Sequence, residues 1–357
     1  MWPSQSTTAP LIGNSVSEQA LAVLPSRLRR LSATLADWRP FARQKPLLGL
    51  DIGSHSIKAV ALARERREIR VKAAALAETP VRALTQGVLT DALVLSERLR
   101  SLRAMFHLET AEVAVAAGGE KIYCQLDHVR DEAEEGFAAL VENTAQVVVP
   151  YPLAHAALDY QELPAEAKGP GRAVLWVSCA AEQVDWLRQA VFLAGMTPEV
   201  VDVEACALAN VFIYNHQPRR DEVSLLLHVG VRQAAWALLR GETLLYARGA
   251  LVEKLWHDPE PLSLADRVVA ELDRHWDDME EQASPAILEN MYVSGGPARS
   301  PKFVETLGRR LGLRAAVLEP FRRISYASDS EAGKIASRHA ASLTVAVGLA
   351  LRSFNDL

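Results

Sequence analysis

Between Leu47 and Leu62 the chain reads LLGLDIGSHSIKAVAL, and the residues there that could act together are Asp51, Gly53, Ser54, Ser56 and Lys58. A carboxylate at the end of an apolar strand can hold a hydrated Mg²⁺, so Asp51 is the candidate metal ligand. Two hydroxyls, an ammonium and the backbone N–H groups of a tight turn suit a phosphate. Gly53 permits a sharp turn and a close approach of backbone to ligand. His55, at the tip of the turn, completes the candidate binding set. Taken alone, the stretch reads equally well as an ordinary hairpin with a polar tip, because short glycine motifs recur by chance.

The elements that must position these residues are strands, and their layout occurs twice. In the first copy an apolar strand meets Asp51-Ile52-Gly53, a second strand follows, and after the charged turn at 64–68 a third runs from Ile69 to Leu76. In the second copy Val223 to Leu227 meets His228-Val229-Gly230. Ala234 to Leu239 follows, then a Gly241-Glu242 turn and Leu244 to Ala250. Two meanders, each opened by a turn glycine, predict two similar domains facing a cleft, with Gly53 and Gly230 at equivalent turns. Further on, a strand at 290–293 feeds Ser294-Gly295-Gly296. Paired glycines there let a flat ligand such as a nucleobase lie on bare backbone, or simply make a tight strand-to-helix turn. Glu204 opens a helix expected over 205–214, where an acidic residue suits the helix start as well as it suits a functional role. One long helix is expected over 265–280.

Composition is that of a globular α/β chain. The 357 residues are 49% hydrophobic and 23% charged, enough for two or three domains with a substantial core. A net charge of −5 gives no global attraction to nucleic acid. Cys124, Cys179 and Cys206 lack metal-ligand spacing and read as reduced thiols. No apolar run approaches the ~20 residues that span a bilayer. No histidine pairs with a Ser or Cys in a recognised triad order.

The ordered motifs resemble the type IV pilus assembly protein PilM family, within the actin-like ATPases. LLGLDIGSHSIKAVAL is similar to its first phosphate segment. The resemblance continues through VVVPYPLAHAALDYQEL at 147–163, VDWLRQAVFLAGMTPEVVDVEACALANVF at 184–212 and VSGGPARSPKFVETLGRRLGL at 293–313. EPFRRISYAS at 319–328 and SLTVAVGLALR at 342–352 complete it. It implies an actin-like, ribonuclease H-like duplicated α/β fold with an inserted α/β subdomain. The expected domains are an N-terminal extension at 1–45, a first domain at 46–78 and 148–215, an inserted subdomain at 79–147 and a shortened second domain at 216–357. The resemblance also implies ATP and Mg²⁺ bound through Asp51, Gly53, Ser54, His55, Ser56, Lys58, Gly230, Gly295 and Gly296.

Two departures weaken the enzyme reading. The second meander should open with an acidic strand end, but it has His228, and neutral imidazole is a poor Mg²⁺ ligand. The segment between Arg248 and Ser263 is short where the family carries part of a lid. The expectation is therefore a cytoplasmic scaffold, peripheral to the inner membrane, whose nucleotide binding is weak or lost and which has no catalytic residues. The resemblance implies that it captures the N-terminal cytoplasmic peptide of a PilN-like inner-membrane protein and meets other pilus assembly proteins, in a groove between the first domain and the insertion. The alternatives are an active actin-like ATPase or small-molecule kinase, or the equivalent component of a mannose-sensitive haemagglutinin-type pilus or a type II secretion-like machine. In the extension, 17–39 is expected to form a helix with Leu28, Leu31, Leu35 and Trp38 on one face. That helix would pack on the body or lie at a lipid surface.

Overall fold

The computed structural model describes residues 46–354 apart from 82, 86–87, 106–111, 130–136, 164–170, 253–262 and 285. The expected helix at 17–39 lies outside the described residues, as do residues 253–262 of the short stretch after Arg248. In chain order the elements are β1 Leu48–Ile52, β2 Ser56–Glu65, β3 Glu68–Glu78, β4 Leu84–Thr85, β5 Val88–Leu89, α1 Ala92–Met105, β6 Glu112–Ala117, β7 Tyr123–Val129 and α2 Phe137–Val148. Then come β8 Ala156–Glu162, β9 Arg172–Ala180, α3 Ala181–Leu193, β10 Thr197–Val203, α4 Glu204–His216, β11 Val223–Val229, β12 Gln233–Arg240 and β13 Thr243–Leu251. The chain closes with α5 Leu264–Asp273, α6 Trp276–Ala283, β14 Asn290–Ser294, α7 Pro301–Leu311, β15 Arg314–Val317, β16 Ile324–Ser325, α8 Glu331–His339 and α9 Thr344–Leu351.

Two mixed sheets hold the core. The first runs β10-β6-β1-β2-β3-β16 and the second β15-β14-β11-β12-β13-β7-β9-β8. Each contains the same five-strand block: an antiparallel meander whose first strand takes two further parallel strands on its other side. The expected duplication is therefore present to the residue. Ile52 faces Ile57 at the close of the first hairpin and Val229 faces Ala234 at the close of the second. Gly53 N–H donates to Ser56 O at 3.1 Å, and Gly230 N–H donates to Gln233 O at 2.8 Å. His228 thus occupies the position of Asp51, and Gln233 that of Ser56.

Strands β1, β6, β11, β12 and β13 are almost wholly buried, consistent with sheet centres covered on both faces. Helices α4 and α9 lie between them: α4 packs on β11, β12 and β13, while α9 packs on β1 and β2. They touch closely because position 348 is glycine. A Cβ there would come within 1.9 Å of Ala207 O. Asp202, at the end of β10, meets Arg352 Nε at 3.3 Å just past α9, which ties the end of that helix to the first sheet. Among the described residues no helix is long and apolar enough to cross a membrane.

The expected domain bounds need correction. Residues 79–147 do not form a separate insertion, because β6 lies between β1 and β10 within the first sheet. Nor do 148–180 return to the first domain. Strands β8 and β9 pair with β7, and β7 extends the second sheet by pairing with β13. This β7–α2–β8–β9 unit has its own small core of Val129, Val141, Ala145, Val149, Val174 and Trp176. The chain end also departs from the expected second domain: β16 pairs with β3, and α9 covers the first sheet. The helix expected at 265–280 is broken at Arg274-His275 into α5 and α6.

Candidate functional site

The two equivalent hairpin turns face each other across a cavity of about 330 Å³. Asp51, Gly53, Ser54, His55, Ser56, Lys58, Gly230, Gly295 and Gly296 all line it, so the fold brings the whole sequence-derived set together. Gly295 closes one side in a left-handed conformation (φ 94°), and a Cβ there would sit 2.1 Å from Val229 O. Only glycine lets this turn pass so close to the second hairpin. Gly296 has no atom within 4 Å of its Cβ position, leaving bare backbone toward the cleft.

The floor is less suited to a metal than the residue types suggest. Asp51 and Lys58 are cross-strand partners, and Lys58 Nζ lies 3.0 Å from Asp51 Oδ2, both largely buried. The only carboxylate of the first turn is thus neutralised by a side chain of its own hairpin. On the opposite turn, His228 shares a 2.9 Å hydrogen bond between Nδ1 and Ser294 Oγ. Burial lowers its pKa to about 4, partly countered by Asp51, so it is neutral at physiological pH.

Two further residues join this floor: Glu204, which the sequence left open between a helix start and a functional role, and Gln233, which it did not single out. Glu204 is buried and accepts a 2.8 Å hydrogen bond from Gln233 Nε2, while its other oxygen and Gln233 Oε1 have no hydrogen-bond partner. Burial, and then repulsion from Asp51, raises the Glu204 pKa to about 8, against the pull of Lys58 and Gln233. Glu204 therefore holds its proton at neutral pH. The available signal was an acidic residue between an apolar strand and an apolar helix, EACALANVF, which also fits an ordinary helix start. Gln233 gave no signal beyond its place in the repeat.

At neutral pH the floor sums to about zero charge: one internal ion pair, a neutral carboxyl and a neutral imidazole. Mg²⁺ takes oxygen ligands in near-octahedral geometry. Among the described residues no three His, Cys, Asp or Glu side chains come together as a metal set. With Lys58 already on Asp51, the residues do not fit Mg²⁺. The turn hydroxyls of Ser54 and Ser56, with the bare backbone at Gly296, keep the shape of a phosphate and nucleoside site.

Comparison with known proteins bears on the family and the fold. A family model described as type IV pilus assembly protein PilM matches residues 49–252 and 264–354. A solved PilM–PilN type IV pilus biogenesis complex contains a chain of similar fold, with a TM-score of 0.72 and 21% identity, covering 87% of this chain and 99% of that one. EutJ from Carboxydothermus hydrogenoformans matches at a TM-score of 0.45 and 14% identity over 88% and 91% of the two chains. MreB 5 of Spiroplasma citri, bound to AMPPNP, matches at 0.41 and 9% over 86% and 95%. The architecture is the actin-like ATPase fold, mixed α/β with two sheets in two domains.

Proposed function

The chain belongs to the type IV pilus assembly protein PilM family, and from that membership we propose that it is a cytoplasmic scaffold of a pilus assembly machine, peripheral to the inner membrane. It captures the N-terminal cytoplasmic peptide of a PilN-like inner-membrane protein and does so without turning over nucleotide. The observation that carries this reading is the extent of the likeness. The family match runs through both sheets and through the β7–α2–β8–β9 unit, and the fold covers almost the whole of the PilM chain solved with PilN.

The peptide lies where the first domain meets that unit, beside α3. Helix α3 touches β5 on one side and β8 and β9 on the other. Phe192, in the last turn of α3, and Leu93, at the start of α1, are 58% and 65% exposed and are proposed as apolar anchors for an extended peptide. Tyr151 is held inside the unit by hydrogen bonds to Lys121 O at 3.0 Å and Ser178 Oγ at 3.3 Å, so it stiffens that wall.

The cleft is proposed to be degenerate because Lys58 neutralises Asp51 and His228 replaces an acid. Phosphoryl transfer needs metal charge and a positioned nucleophile, and this floor supplies neither. Nucleotide affinity is accordingly weak or absent. The test is a phosphate-release assay with Mg²⁺ and ATP, run beside a pull-down of the PilN-like tail. The expected result is no release above background, and capture that is weakened by Phe192→Asp. Sustained Mg²⁺-dependent release, abolished by Asp51→Ala, would establish the ATPase reading instead.

A further inference from the structure

A second cavity, about 1100 Å³, adjoins the cleft at Arg299 and extends along the free edge of the second sheet. Its wall is β15, the edge strand, which among the described residues pairs only with β14. Ala315, Ala316 and Val317 all line it. Successive side chains of a strand point to opposite faces, so three consecutive residues can line one cavity only if the strand presents its edge to it. The hydrogen bonds agree. Arg314 N–H donates to Glu289 O and Leu318 N–H to Val293 O, both toward β14. By alternation the N–H and C=O groups of Ala315 and Val317 point the other way, into the groove.

An open strand edge is ordinarily blunted by charge, proline or a covering segment. This one instead has small residues at Ala315 and Ala316. Apolar walls flank it on both faces: Val304 on α7, and the edge-to-face pair of Phe321 and Tyr326 on the following loop. The rim is cationic. Arg299, Arg309, Arg322 and Arg338 outnumber Glu305 and Glu319, although the whole chain carries a net charge of −5. Among the described residues, Arg299, Arg309 and Arg338 form no ion pair.

We propose that this edge takes an extended, acidic and apolar peptide of a protein partner as an added strand. Main-chain hydrogen bonds to Ala315 and Val317 give the docking, the walls take alternate apolar side chains, and the arginine rim selects carboxylates in the residues between. The site is separate from the proposed groove beside α3, and its test does not depend on that groove.

The experiment uses the full-length protein and two capped octapeptides, one alternating valine with glutamate and the other valine with lysine. Fluorescence anisotropy is expected to show saturable binding of the acidic peptide alone, weakened at least about tenfold by Arg309→Glu with Arg338→Glu. These exposed substitutions leave the fold intact. Amide hydrogen exchange at Ala315 and Val317 is expected to be fast in the free protein and slow with the acidic peptide. Absence of binding, equal binding of both peptides, or indifference to the arginine variants would overturn the proposal. So would slow exchange of those two amides in the free protein, which would mean that the chain's own residues fill the groove.

Discussion

Replacing Glu204 with glutamine should change how stability depends on pH, by an amount that follows from its surroundings. Glutamine keeps the shape and can still accept from Gln233, but it cannot ionise. In the folded protein burial holds the Glu204 carboxyl protonated up to about pH 8, whereas the unfolded chain releases that proton near the ordinary glutamate value of 4.5. Between these values the folded state binds more protons, so this group's contribution to stability is full below 4.5 and falls as pH rises through 8. The slope reaches about 1.36 kcal/mol per pH unit, which amounts to about 1.5 kcal/mol between about pH 6.5 and 8. His228 acts in the opposite sense. Its depressed pKa of about 4 gives a contribution present above the ordinary 6.5 and lost as pH falls through 4. That term is common to both proteins and cancels in their difference. Urea unfolding of the wild type and Glu204→Gln across this range should therefore show the variant gaining about 1.5 kcal/mol relative to the wild type at the alkaline end. A difference that stays constant with pH would refute the buried, protonated carboxyl.

Three other outcomes follow from the same contacts. Lys58→Met leaves Asp51 buried without its partner and should cost about 3–5 kcal/mol in chemical denaturation, most of it recovered in Asp51→Asn with Lys58→Met. His228→Asp alone should give no phosphate release in a Mg²⁺ and ATP assay, because Lys58 still occupies Asp51. Gly348→Ala drives a methyl group toward Ala207 O and forces α4 and α9 apart, which should cost about 1–3 kcal/mol and lower the melting temperature.

Much of the fold was legible because its repeat is local. Each meander pairs strands that follow one another, and their turns are marked by glycine. The sequence pattern also predicts strands at 112–117 and 121–129, and β6 and β7 lie there. That pattern did not say that two strands separated by only a short turn enter different sheets. Periodicity identifies a strand, whereas its partner is set by contacts distant in sequence. For β6 these are β1 and β10, and for β7 they are β9 and β13. The domain bounds failed for that reason. In the site, the residue set was readable but its pairing was not used. Asp51 and Lys58 are each one residue beyond the closing pair of a hairpin, so cross-strand geometry already placed them face to face. Glu204 was ambiguous because a helix start favours acids whether or not they are buried, and burial depends on Gly118 and Gln233, which approach it from other elements.

Central to the proposed function is recognition of a partner tail by a scaffold whose cleft does no metal chemistry. Its most direct test is calorimetric titration of the full-length protein with the N-terminal cytoplasmic peptide of the PilN-like protein, once in EDTA and once with Mg²⁺ and ATP. Saturable binding of similar affinity in both conditions is the expected result. Absence of binding in both, or binding that appears only with Mg²⁺ and ATP, would contradict it.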